Sequence, residues 1–230
     1  MLLIGKICSL RFQAYFKEMN ILRFTLVTDG SSDIVLLPIL RWLLIENGVT
    51  IAIEAKWADL RRLQKKSLKL KDKILSALEF YPCELLFIHR DAEREPREKR
   101  IEEIKKALKE VGAVPSNVCV IPVRMQEAWL LFNENAIRSA AGNRNGRMQL
   151  TIPPLSKLET LSNPKDDLHD LLRQASGLQG RRLKNFNVRN QVRRVADFVN
   201  DYSSLRELPA FLALENDIKQ TIDYLLGKPE

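Results

Sequence analysis

The sequence predicts an α/β fold: a mainly parallel sheet of about four strands flanked by helices, with a helical extension at the C-terminal end. Two observations carry this. Up to Gly142, short apolar runs rich in β-branched and aromatic residues alternate with longer stretches of helical periodicity, a pattern that implies βαβ crossovers. Beyond Gly142 a polar connection leads into amphipathic stretches of helical spacing. The chain therefore divides into an N-terminal arm or extra strand (residues 1–20), an α/β domain (21–142) and a mainly helical extension packed on that core (143–230).

In order, ILRFTLVT (residues 21–28) is the first strand, stopped by the turn Asp29-Gly30-Ser31-Ser32. DIVLLPILRWLLIENG follows as a helix, with Ser31 or Ser32 as its cap, Pro38 inside it as a bend and Gly48 as its stop. Residues 50–55 form the next strand. Residues 59–80 repeat Leu, Lys and Arg at helical spacing, giving one or two amphipathic helices with a basic outer face. Residues 84–89 are a buried strand, and Asp91 opens the loop beyond it. Residues 97–111 form a charged surface helix closed by Gly112, residues 117–123 a fourth strand, and MQEAWLLFNENAIRSAAG the next helix. The extension holds amphipathic stretches at 164–176, 188–200 and 209–226.

Composition narrows the classes of function. No apolar run approaches the roughly eighteen residues of a membrane span, and the N-terminal residues lack the order of a secretory signal. Met19, just before the core, is an alternative start. Cys8, Cys83 and Cys119 are odd in number and contain no CxxC pair, which favours packing over disulfides, a reducing cytoplasm, and no structural zinc. With 37 basic and 29 acidic residues, the net charge of +8 favours a polyanionic partner. The bases concentrate at 61–73 and 181–194, so Arg61, Arg62, Lys65, Lys66, Arg181 and Arg182 are candidate nucleic-acid contacts, with a solvated helix face as the alternative.

Asp29 ends the first strand, and Asp91 and Glu93 follow the third. In a doubly wound sheet of order 2-1-3-4 those strands are neighbours, so the carboxylates meet at the edge where such sheets bind ligands. Carboxylate oxygens suit Mg²⁺ or Mn²⁺, and a metal held this way keeps positions open for a phosphate. A lone Asp-Gly after a strand is more often a turn, and Asp91 with Glu93 also suits a helix-initiating loop. Their joint placement after neighbouring strands is what points to a site.

These residues resemble a family. Leu26-Val27-Thr28-Asp29-Gly30-Ser31-Ser32-Asp33 resembles the first Toprim motif, an apolar strand followed by Glu-Gly and, three residues on, Asp. Phe87-Ile88-His89-Arg90-Asp91-Ala92-Glu93 resembles the second, a strand ending in Asp-x-Asp. The resemblance implies a metal-dependent nuclease in which Asp29 positions or deprotonates water. It makes Asp29, Asp91 and Glu93 catalytic and metal-holding, with Asp33 as a further ligand and Gly30 in support. Asp29 stands where Glu is usual and Glu93 where Asp is usual, changes of one methylene in opposite directions. Residues 120–131, with Ile121-Pro122 and Glu127-Ala128-Trp129-Leu130, resemble small stand-alone Toprim-like proteins of bacterial mobile and anti-phage loci. Leu158-Glu159 and Asn163-Pro164-Lys165 suit the same group. Relatives of this kind, like the overcoming-lysogenization-defect nucleases, work with an ABC-type ATPase, which implies such a partner here.

Glu127 is either a further ligand or an acid at a helix start. Arg124, Lys157 and Lys165 are candidates to neutralise a phosphate, with plain surface roles as the alternative. Trp129 reads as core, His89 as a satisfied buried histidine and His169 as a solvated one. The readings that remain are a Toprim-type nuclease and a non-catalytic nucleic-acid-binding or regulatory subunit of an ATPase complex. A receiver-like domain lacks its acidic pair after strand one, and a haloacid-dehalogenase phosphatase would carry its Asp-x-Asp there.

Overall fold

A computed structural model of the chain describes residues 20–61 and 69–226. Its centre is a four-stranded, all-parallel sheet of order β2-β1-β3-β4, with β1 Ile21–Val27, β2 Ala52–Trp57, β3 Leu85–His89 and β4 Ser116–Val120. The α/β class and the 2-1-3-4 order match the expectation. Side chains alternate across a strand, and that period splits the core in two. Leu22, Phe24 and Leu26 of β1, Leu85 and Phe87 of β3, and Val118 and Val120 of β4 face one layer. Val27, Leu86 and Ile88 face the other.

The second layer is covered by α2 (Leu70–Phe80) and α3 (Arg97–Val111), through Ile74, Ala77, Ile104 and Leu108. The larger layer is covered by α1 (Leu36–Glu46) and by helices that come almost entirely from the extension: α4 (Glu134–Ala140), α5 (Pro164–Ser176), α7 (Val188–Phe198) and α8 (Pro209–Leu226). The short α6 (Gly180–Lys184) buries no residue. Trp129 is fully buried and meets Phe211 of α8 edge to face at 5.3 Å. The Tyr202 hydroxyl donates to the Ala196 carbonyl at 2.8 Å, closing the far end of α7.

Local chemistry moved several boundaries. The first helix begins at Leu36, because Ser31–Val35 winds as a 3-10 turn. Pro38 thus falls in the first helical turn, where the N–H it lacks would have no partner within that helix. Neither Ser31 nor Ser32 caps. The stretch after β4 is also divided, into a 3-10 turn at Gln126–Leu130 and α4, whose cap is Asn133 accepting from the Ala136 N–H. Helices α3 and α5 fall where the apolar period places them. Among the described residues, no helix is long and apolar enough to cross a membrane.

Because one apolar cluster runs from β1 through the extension to Leu225, the sheet and extension should unfold together. Phe211→Ala is expected to cost about 3–5 kcal/mol and to leave a single, shifted transition in denaturant melts followed by both fluorescence and circular dichroism. Two separate transitions would show that the layers fold independently.

Candidate active site

The carboxyl edge of β1 leads through Thr28, whose hydroxyl donates to the Gly30 carbonyl at 2.7 Å and accepts from Trp57 Nε1 at 3.0 Å. Gly30 is extended, and Asp33 turns back on it: Oδ2 accepts the Gly30 N–H at 3.0 Å, and Oδ1 accepts from the Ser32 hydroxyl at 2.9 Å. A third donor arrives from the far side of the sheet, Gln126 Nε2 at 3.0 Å from Asp33 Oδ1. Asp33 is 5 % exposed. It is therefore a buried carboxylate fixed by three neutral donors, which hold its orientation without neutralising it.

Beyond β3 and β4 the two chains stay in register past the regular sheet. Arg90 N–H donates to the Val120 carbonyl, Ala92 N–H to Pro122 and Glu93 N–H to Arg124. At the end of this pairing Glu93 and Arg124 both have positive φ, 56° and 59°, a left-handed conformation that costs a side-chain-bearing residue about 1 kcal/mol or more. The paired kinks turn the Glu93 side chain outward, where it is 68 % exposed and meets Arg100 Nη2 at 3.3 Å. Arg100 also donates from Nε to the Asp91 carbonyl at 3.1 Å and binds Glu103. One buried guanidinium thus ties the loop to α3.

His89, the last residue of β3, sits between the two acids. Its Nδ1 lies 3.0 Å from the Val120 carbonyl, an acceptor only, so Nδ1 carries the proton. Burial holds the imidazole below its ordinary pKa, against the pull of Asp33. The neutral ring therefore presents a bare Nε2, 3.4 Å from Asp91 Oδ1 and 3.9 Å from Asp33 Oδ2. Lone pairs facing one another require a proton or a cation between them. Asp91 Oδ1 is buried and has no hydrogen-bond donor among the described residues. Its carboxyl is pushed up to about 8, first by burial, then by Asp33 and Glu127. Glu127, 3 % exposed on the 3-10 turn after β4, is also raised by burial, with Lys165 opposing.

The sequence-expected residues are distributed unevenly around this centre. Asp33 and Asp91 converge on His89, and Glu127 lies within their field. Asp29, by contrast, is exposed and bridged by two cations, Lys73 Nζ at 2.6 Å and Arg90 Nε at 3.0 Å. Arg124 serves through its backbone carbonyl. Lys165 lies beside Glu127. Gly30 supplies its N–H to Asp33, and a Cβ there would stand 3.6 Å from both Asp33 oxygens. Arg61 is paired with Asp59 and stacked on Trp57 at 5.2 Å. Arg181 and Arg182 are exposed on α6, whereas Arg62, Lys65 and Lys66 lie outside the described residues. Residue patterns missed Gln126, Lys73, Arg90 and Arg100, all brought in by non-local packing. For His89, its place two residues before Asp91 on a wholly buried strand was the available signal.

Among the described residues, no group of three or more His, Cys, Asp or Glu side chains is gathered as a ready metal cage. Asp91 and Asp33 nonetheless fit a cation: Asp33 and the Oδ1 atom of Asp91 are buried, that Asp91 oxygen has no donor, and among the described residues neither side chain is salt-bridged to Lys or Arg. Asp29 and Glu93 already have cationic partners in this conformation. No family model, curated protein or solved structure matches the chain.

Asp91 gives a pH-dependent prediction. Its folded-state pKa is raised from 3.8 to about 8, so folding carries no penalty from this group below about pH 4. The penalty of burying the anion grows as pH rises through about 8. Asp91→Asn should match the parent near pH 4 and exceed its stability by roughly 2 kcal/mol near pH 9. That is below the ceiling set by about 1.4 kcal/mol per unit, because the side chain keeps 29 % of its surface in solvent. Urea melts across that range check it; a gap that does not change with pH would refute the assignment.

Proposed function

We propose that the chain is a divalent-metal-dependent nuclease of the Toprim type, hydrolysing phosphodiester bonds in DNA or RNA as an effector of bacterial anti-phage defence. The single observation that supports it most is Asp91: a carboxyl at the carboxyl edge of a parallel sheet, its Oδ1 buried without a donor and facing a bare imidazole nitrogen, with Asp33 and Glu127 beside it and, among the described residues, no Lys or Arg in salt-bridge reach. Such an arrangement favours a metal ion over a lone anion. Asp91 and Asp33 would hold Mg²⁺ or Mn²⁺. The ion would supply polarisation of the phosphate and a nucleophile from water at neutral pH.

The chain's own groups take the remaining tasks. His89 Nε2, unprotonated because Nδ1 is committed to Val120, is a proton acceptor 3.4 Å from Asp91 Oδ1. Gln126 and the Gly30 N–H keep Asp33 from rotating. The net charge of +8 would hold the polyanion by counterion release. Self-association belongs to the same reading, in which an ABC-type ATPase partner rests on the resemblance and a cytoplasmic setting on the cysteine usage.

A second reading, a non-catalytic nucleic-acid-binding or regulatory subunit of an ATPase complex, is favoured by one observation. The acid at the first motif position, Asp29, is occupied by Lys73 and Arg90, and Glu93 by Arg100.

Purified protein incubated with supercoiled plasmid, linear DNA and total tRNA distinguishes them. Cleavage should require Mg²⁺ or Mn²⁺, stop with chelator, and fall by roughly 100-fold or more in folded Asp33→Ala and Asp91→Ala variants. Binding without cleavage of any substrate would favour the regulatory subunit.

Metal binding should also compete with the Asp91 proton, so affinity should rise from about pH 6 to about pH 8.5. Thermal shifts with Mn²⁺ measure this, and a response identical in Asp91→Asn would place the ion elsewhere.

A further inference from the structure

Next to the carboxylates, the extension builds a pocket of about 300 Å³ lined by Ser31, Ser32, Glu127, Lys165, His169, Arg189, Val192 and Arg193, a size at the lower end of ligand sites. Its basic members come as two pairs. Lys165 and His169 are four residues apart on α5, and Arg189 and Arg193 four apart on α7, so each pair shares a helix face. Among the described residues, Lys165 and Arg189 make no salt bridge, and Arg193 makes only a 3.4 Å hydrogen bond to the Ser31 carbonyl. Arg189 and Arg193 are like charges that repel at this spacing, and Lys165 faces the same opening. An anion between them removes the repulsion.

We infer that this pocket is a phosphate subsite, which binds a phosphate group of the nucleic-acid strand beside the scissile position through Lys165, Arg189, Arg193 and the Ser31 hydroxyl. The inference rests on the nuclease reading for the identity of the strand and on the pocket itself for the phosphate. Its join to the acidic centre is short, because the Ser32 hydroxyl that lines it also donates to Asp33. Glu127 is the one acid among the described residues of the lining, and burial shifts its carboxyl towards the neutral form, which lessens its repulsion of a phosphate. The cationic field registers on His169. Its pKa is lowered by burial and then by Arg173, Lys165 and Arg189, with Asp166 opposing. A dianion seated among these groups would reverse the sign of the nearest charge and raise it.

The full chain has only two histidines, His89 and His169, so imidazole NMR reads the pocket directly; His169→Gln assigns the signal. Inorganic phosphate should raise the His169 pKa by about one unit relative to chloride at equal ionic strength. Arg189→Ala and Arg193→Ala should each weaken phosphate binding by roughly tenfold, and Arg189→Lys should retain most of it. Short single strands with and without a 5′-phosphate locate the source. A His169 shift with both points to an internal phosphodiester, and a shift with only the phosphorylated strand to a terminal phosphate. No shift beyond the chloride control, no response to either strand, or undiminished binding in both alanine variants overturns the subsite. Because the readout is binding at His169, a subsite that binds phosphate in a protein that cuts nothing would count against the nuclease reading alone.

Discussion

The whole length of β3, Leu85–His89, is buried, and the rest of the molecule follows from that constraint. A parallel strand at the centre of a sheet exposes apolar side chains to both faces and needs cover on each. On one face α2 and α3 suffice. On the other, α1 alone leaves Phe87, Val120 and Trp129 to be covered by the extension, and Phe211 and Tyr202 complete that layer. The extension is therefore part of the same core. It also brings α5 and α7 up to the carboxyl edge, where the acids are.

The same strand sets the electrostatics. His89 ends β3 inside the core, so its ring must find a partner and takes the Val120 carbonyl. That bond leaves Nε2 without a proton and aimed at Asp91. Asp33 is locked by neutral donors, and Asp91 and Glu127 are pushed towards their neutral forms by burial. The sheet domain thus concentrates acidic groups in a low-dielectric corner, while the extension sets Lys165, Arg189 and Arg193 around the adjoining opening. A metal ion and a phosphate are complementary to these two halves, and that complementarity supports a phosphodiesterase over a simple charged surface.

The cations around the outer acids give the edge a second layer. Lys73 from α2 and Arg90 from the β3 loop hold Asp29, and Arg100 from α3 holds both Glu93 and the Asp91 carbonyl. The loop bearing Asp91 is consequently fastened on two sides, to β4 and the segment after it through the Arg90, Ala92 and Glu93 amides and to α3 through Arg100. Rigid support of this kind keeps a partly buried carboxyl oriented when its charge changes.

By itself, the sequence determined the α/β class, the 2-1-3-4 sheet, the extents of α3 and α5, and the placing of Asp33 and Asp91 at one edge. The strand order follows from the doubly wound topology of such units, and the rest from local period: two residues for strands, 3.6 for helices, and turns where the apolar runs stop. Local period also misplaced the start of α1 and joined Gln126–Leu130 to α4, since a 3-10 turn and an α-helix share an apolar pattern over five residues. Only the tertiary structure decided which acids stand together. Asp29 and Asp33 are four residues apart, yet one is drawn out by Lys73 and Arg90 and the other turned in by Gln126, across separations of 44, 61 and 93 residues. The pocket between α5 and α7 is likewise invisible in the chain order. Its charges converge because two helices share the apolar burden of one sheet face, and which faces of those helices meet is set by packing.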